Sequence, residues 1–271
     1  MIIDGNNFIA HKLKNNESFV AGKIGVTELN LLYIAGKQLP EYLKHEAEDQ
    51  AGLYPYTEKT VFEFSNNMYQ ALDQVDLIPV WNRVIPHFEQ QVLNTYCSHS
   101  YKTELQYLEP YFFEKPWTEH LKNKKVLIFS PFAKSIEQNY KVLDKIWCNK
   151  IQPNFDLKVY RYPFALKISP NEKYKVSDDV YKEFLSILRN EDFDVGIFGT
   201  GYTSLLFAAE CKKIGKVGIH LGGPTQILFG IKGQRWRDIQ QFHPFFNKYW
   251  TDPLEEEKPI KRDAVEGGCY W

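Results

Sequence analysis

Apolar residues recur along this chain at two different spacings, and the pattern changes near residue 123. Before that point it is mostly helical. Residues 58–74 carry Val61, Phe64, Met68 and Leu72 on one stripe, the three-to-four spacing of a helix with a single buried face. The same reading predicts helices over 2–15, 27–35, 40–50 and 83–95. Thr27 is placed to cap the second of these, with Glu28 in its first turn, and the charged 40–50 segment reads as exposed. Short extended pieces over 18–24 and 75–80 interrupt the helices. Residues 52–56 read as a loop and 110–116 (PYFFEKP) as an aromatic linker.

After residue 123, short continuous apolar runs alternate with amphipathic segments. The runs are 125–130 (KVLIFS), 157–162, 194–199 (DVGIFG) and 216–221 (KVGIHL). The helical segments are 133–149, 177–190 and 203–213. Strands apolar on both faces, separated by helices, imply a parallel sheet covered on both sides. The expected fold is therefore α/β: a Rossmann-like parallel sheet flanked by helices, with a mainly helical N-terminal half packed on it. Residues 1–122 form that N-terminal region, contributing a strand and the Glu28 segment. Residues 123–271 form the Rossmann-like nucleotide-binding region, and the two also read as one continuous domain.

Composition narrows the class. With 44% apolar residues a sizeable core can be buried, and 33 basic against 34 acidic residues give a net charge of −1, which argues against a nucleic-acid binder. The four cysteines, Cys97, Cys148, Cys211 and Cys269, are far apart and form neither a zinc pattern nor a disulfide framework, so a reducing, cytoplasmic setting is expected. The first residues lack the apolar stretch of a signal peptide, and no run reaches membrane-span length.

In open parallel sheets ligands bind beyond the carboxyl ends of the strands, so the candidate chemistry is sought there. Ser130 closes the first run and opens a helix through Pro131. Gly199-Thr200-Gly201-Tyr202 follows the third, with two glycines that permit close backbone approach. It resembles half of a dinucleotide fingerprint without the third glycine. His220 ends the fourth run, and Gly222-Gly223-Pro224-Thr225-Gln226 follows. Lys232, Arg235 and Arg237 then make a basic patch beside Trp236. Glycine turns at helix starts together with a basic patch suit a diphosphate. Trp81 and Tyr54 are candidate sugar platforms, Trp81 reading more readily as core. The tail ends in Tyr270-Trp271 after Gly-Gly, which predicts that these aromatics dock on the domain.

The stretches KKVLIFSPFAKSI, DFDVGIFGTGYTSLLFAAECKKIGKVGIHLGG and TQILFGIKGQRW, with the EEEKP…VEGGCYW tail, resemble the GT-D class of glycosyltransferases. The resemblance covers most of 18–271. Within it, 22–29 (GKIGVTEL) is similar to a segment that reads roughly R-F-G-D-G-E-L in that class. The resemblance implies transfer of a sugar from a nucleotide-diphosphate-sugar donor to a glycan or other hydroxyl acceptor. It also implies a role for Mn2+ or Mg2+ at the Asp-x-Glu pair. Glu28 keeps the glutamate, Val26 replaces the aspartate, and Lys23 stands where the class has arginine.

Under this reading the nucleotide-binding set is Lys23, Ser130, Gly199, Thr200, Gly201, Tyr202, Gly222, Gly223, Thr225, Gln226, Lys232, Arg235 and Trp236. Glu28, Asp76 and His220 are the candidate catalytic groups, with Glu257 a further candidate base and Glu28 the candidate metal ligand. Asp76 also reads as a turn or cap residue. The same cleft without acid–base chemistry would make a non-catalytic nucleotide-binding module, and with water as acceptor a hydrolase.

Overall fold

The alternation of strand and helix expected after residue 123 is present, and it begins earlier than the sequence pattern suggests. The structure, a computed structural model, describes residues 2–163, 166–167 and 173–271. In chain order the main elements are α1 (Gly5–Lys14), β1 (Val20–Ala21), α2 (Val26–Ile34), α3 (Glu58–Leu72), β2 (Leu77–Pro79), α4 (Pro86–Tyr96) and β3 (Tyr101–Thr103). Then follow β4 (Lys125–Ser130), α5 (Ala133–Tyr140), α6 (Leu143–Ile146), β5 (Asp156–Arg161), α7 (Ser177–Asn190), β6 (Val195–Phe198), α8 (Thr203–Lys213), β7 (Val217–His220), α9 (Pro224–Leu228) and α10 (Gln234–Asp238).

All seven strands join one sheet in the order β3-β2-β1-β7-β6-β4-β5, and every pairing is parallel. The fold is α/β and Rossmann-like. The N-terminal region contributes three strands rather than one, and β1 pairs directly with β7, so the sheet runs unbroken across residue 123. β1 and β2 were expected over longer stretches, and β3 was not expected at all. It is three residues long and opens on exposed Tyr101, too short to show a period.

Side chains alternate between two cores, one per face of the sheet. Val20, Ile78, Leu127 and Phe129 face the core built with α2, α3, α4, α7 and α8. Ala21, Leu77, Val126, Ile128 and Ile219 face the core built with α1, α5, α6, α9 and α10. Helix α8 is buried from Thr203 to Cys211, wedged between the sheet and α3. It lies so close that a Cβ on Gly218 would sit 2.1 Å from the Ala208 carbonyl oxygen. Glycine in β7 is therefore a condition of that packing. No helix among the described residues is long and apolar enough to cross a membrane.

Two helix expectations are corrected. The 40–50 segment is not an exposed helix: it is a 3₁₀ turn at Glu41–Leu43 and a π-helical turn at Glu46–Ala51. Glu48 and Asp49 are buried there; Glu48 accepts the Tyr56 N–H at 3.0 Å, and Lys167 reaches both carboxylates. Charge alone marked the segment as a surface, but paired carboxylates can be buried. The helix expected over 133–149 breaks at Lys141 and resumes as α6, where Val142 leaves helical geometry. The aromatic linker is also a core element, since Tyr111 is fully buried and stacks on Trp147 at 5.3 Å.

Candidate functional site

Beyond the carboxyl ends of the strands lies a cavity of about 660 Å³. Loops leaving six of the seven strands line it: Lys23 to Glu28 after β1, Trp81 after β2, Glu109 after β3, Ser130 to Phe132 after β4, Gly199 and Gly201 after β6, and Gly222 to Gln226 after β7. Strand order reverses between β4 and β6, because β5 lies outside β4 and the chain then crosses back. Ser130 and Gly199 flank that reversal, the usual place for a ligand in such sheets.

The segment after β1 supplies the charged floor. Gly22 makes room for His220: a Cβ there would fall 2.8 Å from the His220 Cβ. Gly25 caps α2 and leaves space into which the Glu28 side chain folds, since a Cβ on Gly25 would lie 2.0 Å from Glu28 Oε2. The Glu28 carboxyl thus rests at the positive end of α2 and still opens on the cavity. Enclosure raises its pKa, against its own backbone N–H and the Lys23 charge, which favour ionisation. Lys23, half-buried, also lines the cavity. Burial lowers its pKa, and Glu109 and then Glu28 oppose that shift. Its ammonium lies 5.7 Å from the centre of the Trp81 ring, whose Nε1–H donates to the Ile24 carbonyl at 3.1 Å.

His220 is buried beside Lys23. A Cβ on Gly222 would meet His220 Nε2 at 3.4 Å and Lys23 Nζ at 3.6 Å, and Gly222 has φ +70°, a conformation that also favours glycine. Burial first and the Lys23 charge second push the imidazole down to about 3, so it is neutral at pH 7. Its Nδ1 is buried with no hydrogen-bond partner among the described residues. The Thr225 hydroxyl is unpartnered in the same way. Glu109 is buried opposite Lys23, accepts a hydrogen bond from the Tyr111 hydroxyl, and has its pKa raised by burial.

The remaining wall is aromatic and cationic. The Arg235 guanidinium stacks 4.6 Å from the Tyr270 ring centre and donates to the Tyr270 hydroxyl at 2.5 Å. The Arg235 N–H donates to the Cys269 carbonyl at 2.7 Å. Gln226 ties this wall together, donating to the Tyr270 carbonyl at 2.6 Å and accepting from Trp236 Nε1 at 2.7 Å. A Cβ on Gly233 would fall 2.6 Å from the Tyr270 carbonyl oxygen, so the tail needs glycine there. Tyr270 and Trp271 dock, as expected of the tail, and where they dock is the cavity wall.

The structure brings Lys23, Glu28, Ser130, Gly199, Gly201, His220, Gly222, Gly223, Thr225, Gln226, Arg235 and Trp236 to this one space. Gln226 reaches it with both ends of its amide already used. Other expected residues lie elsewhere. Thr200 turns inward, where its N–H donates to the Ser204 hydroxyl at 2.8 Å, and with Tyr202 it lines a separate small crevice. Lys232 is held by a backbone bond to the Thr251 carbonyl and does not line the cavity, while Arg237 pairs with Asp252. Asp76 sits at the opposite end of the sheet, accepting from the Val20 N–H at 2.8 Å and Lys212 at 2.7 Å; it ties β1 to β2 and α8. Glu257 is buried against the start of α5, accepting from the Lys134 and Ser135 N–H groups and the Ser135 hydroxyl. That helix N-terminus is thus filled by the protein's own carboxylate. Tyr54 exchanges hydrogen bonds with Ser177 at the start of α7. Trp81, by contrast, lines the cavity rather than filling the core.

Glu46, Glu109, Tyr270 and Trp271 are among the wall residues that site reasoning missed. Glu109 follows a strand too short to recognise, so the rule of inspecting strand ends never reached it. The tail comes home only in three dimensions.

No family model matches the chain, and no curated protein matches it. Two solved structures are similar. One, described as the selenomethionine-substituted structure of domain of unknown function 1792 (DUF1792), aligns over 80% of this chain and 76% of its own, at 17% identity and a TM-score of 0.43. The other, described as "The highly conserved domain of unknown function 1792 has a distinct glycosyltransferase fold", aligns over 79% and 75%, at 17% identity and a TM-score of 0.42.

Proposed function

We propose that this chain is a glycosyltransferase that takes its sugar from a nucleotide-diphosphate donor. The observation that carries the reading is the joint lining of one cavity by two cations (Lys23 and Arg235), three carboxylates (Glu28, Glu46 and Glu109) and aromatic faces at the carboxyl ends of parallel strands. A diphosphate uses Arg235 and the glycine backbone at Gly222 and Gly223, where no side chain holds it off. The aromatic wall of Trp236 and Tyr270 offers a face for the base, and Trp81 a face for the sugar.

In the reaction this implies, an acceptor hydroxyl oxygen bonds to the anomeric carbon as the bond from that carbon to the diphosphate oxygen breaks. The hydroxyl proton passes to the Glu28 carboxylate. Burial raises its pKa, the direction that makes a carboxylate a stronger base. The negative charge gathering on the departing diphosphate meets Arg235, and fixed charge in an enclosed site is the strongest form of such stabilisation. His220 enters as a neutral positioning residue under Lys23.

Calorimetry with UDP, GDP and their sugars tests the reading. One nucleotide diphosphate is expected to bind with one-to-one stoichiometry, and its sugar to be consumed with a suitable hydroxyl acceptor. Absence of binding by every nucleotide diphosphate would overturn the proposal. Binding without transfer or hydrolysis across an acceptor screen would leave a nucleotide-binding module in its place.

A further inference from the structure

The GT-D resemblance implies a divalent cation at an Asp-x-Glu pair, and the residues present here do not fit one. Position 26 carries an isopropyl group on the cavity wall. The Glu28 carboxyl is folded onto Gly25, partly engaged by its own backbone N–H. The charge that most affects it is the Lys23 ammonium, which would repel a dication bound at the same carboxylate. No group of three or more His, Cys, Asp or Glu side chains among the described residues is placed to hold a metal ion.

The surroundings of Lys23, on the other hand, are built for a fixed cation. Gly222 leaves out the side chain that would crowd its terminal carbon at 3.3 Å. Trp81 offers its ring face, and the Glu109 and Glu28 carboxylates attract the ammonium and oppose the downward shift that burial imposes on it. His220, neutral and adjacent, adds no competing charge.

We propose that Lys23 supplies, within this cavity, the positive charge that a divalent ion would supply beside an intact Asp-x-Glu pair, so that binding of the nucleotide diphosphate is independent of metal. This rests on the transferase reading above. It differs from that reading in what it forbids, which is a metal requirement.

The test is calorimetric titration of the whole protein with UDP, GDP and inorganic pyrophosphate, in EDTA and again in Mn2+ or Mg2+. The expected affinities in the two buffers agree within about threefold, a difference of under 1 kcal/mol. Lys23→Met is expected to weaken binding about tenfold or more, the scale of one charge-assisted contact, with no restoration by Mn2+, whereas Lys23→Arg retains binding. Titration of Mn2+ alone is expected to show no stoichiometric site. A loss of more than about tenfold on chelation, a saturable Mn2+ site, or wild-type affinity in Lys23→Met would each overturn the inference while leaving the transferase reading standing. Absence of binding by every nucleotide and by pyrophosphate, in both buffers, removes the transferase reading and this inference with it. The chelation arm uses the unaltered chain, so the outcome does not depend on the variants folding.

Discussion

Arg235 and Arg237 show how the same residue type acquires opposite value from its neighbours. Arg237, two positions from Arg235, spends its charge on Asp252 at the surface, while Arg235 is held by Tyr270 against the cavity. Arg235→Ala is expected to weaken nucleotide-diphosphate binding by about 1.5–3 kcal/mol, the range for hydrogen bonds to charged groups, and calorimetry would read it directly. Arg237→Ala is expected to leave that affinity unchanged. His220 leads to a pH prediction. The folded cavity refuses its proton until about pH 3, whereas an unfolded histidine takes one up near 6.5. Between those values the unfolded chain binds more protons, so stability falls as pH falls. Urea titrations at pH 7 and pH 5 should show the native chain losing about 2 kcal/mol more than His220→Gln over that interval. Equal losses would mean that the imidazole is not held neutral. At this scale the sequence pointed to His220, Glu28 and Arg235 because each follows a strand or a glycine turn. It also pointed to Asp76 and Glu257, which have the right functional group and the wrong end of the sheet or the wrong partner.

At the scale of elements, the strands and helices of the second half were legible because burial on both faces leaves a signature. Runs with a Val, Ile or Leu core mark β4, β6 and β7, the less buried β5 overlaps the strand expected over 157–162, and the predicted bounds of β4, α7 and α8 agree with the structure. In the first half β1 and β2 were expected over longer stretches and β3 was missed, because two or three residues cannot show a period of two. Within the second half α8 packs closely on β6 and β7, which depends on Gly196 and Gly218. Gly218→Ala directs a methyl group at the α8 backbone, which cannot rotate away. It is expected to lower stability by about 1–3 kcal/mol in urea unfolding, the usual cost of overpacking. An unchanged midpoint would show that α8 can retreat from the sheet.

At the scale of the molecule, the cavity exists only because both halves of the chain share one sheet. Lys23, Glu28, Trp81 and Glu109 come from the first half, and Arg235, Gly222 and Tyr270 from the second. β1 seats on β7, and α3 packs on α8. A chain of residues 123–271 alone would leave the β7 edge and the α8 face uncovered. It is expected to be aggregated or molten, with exposed apolar surface that binds ANS, while the intact chain unfolds in one transition by both fluorescence and circular dichroism. Two separate transitions in the intact chain would indicate halves that fold independently.

The sequence by itself determined the class of fold and the character of the turns that line the cavity. Hydrophobic period, glycine placement and chain polarity are local properties, and the parallel arrangement ties strand ends to one edge of the sheet. Tertiary structure alone decided membership of the site. It turned Thr200 inward, drew Glu257 onto α5, set Asp76 at the opposite end of the strands, brought Glu109 to the same cavity as Lys23 and laid the C-terminal aromatics in its wall. Most of those outcomes depend on contacts between residues far apart in the chain, which packing sets and no local pattern encodes.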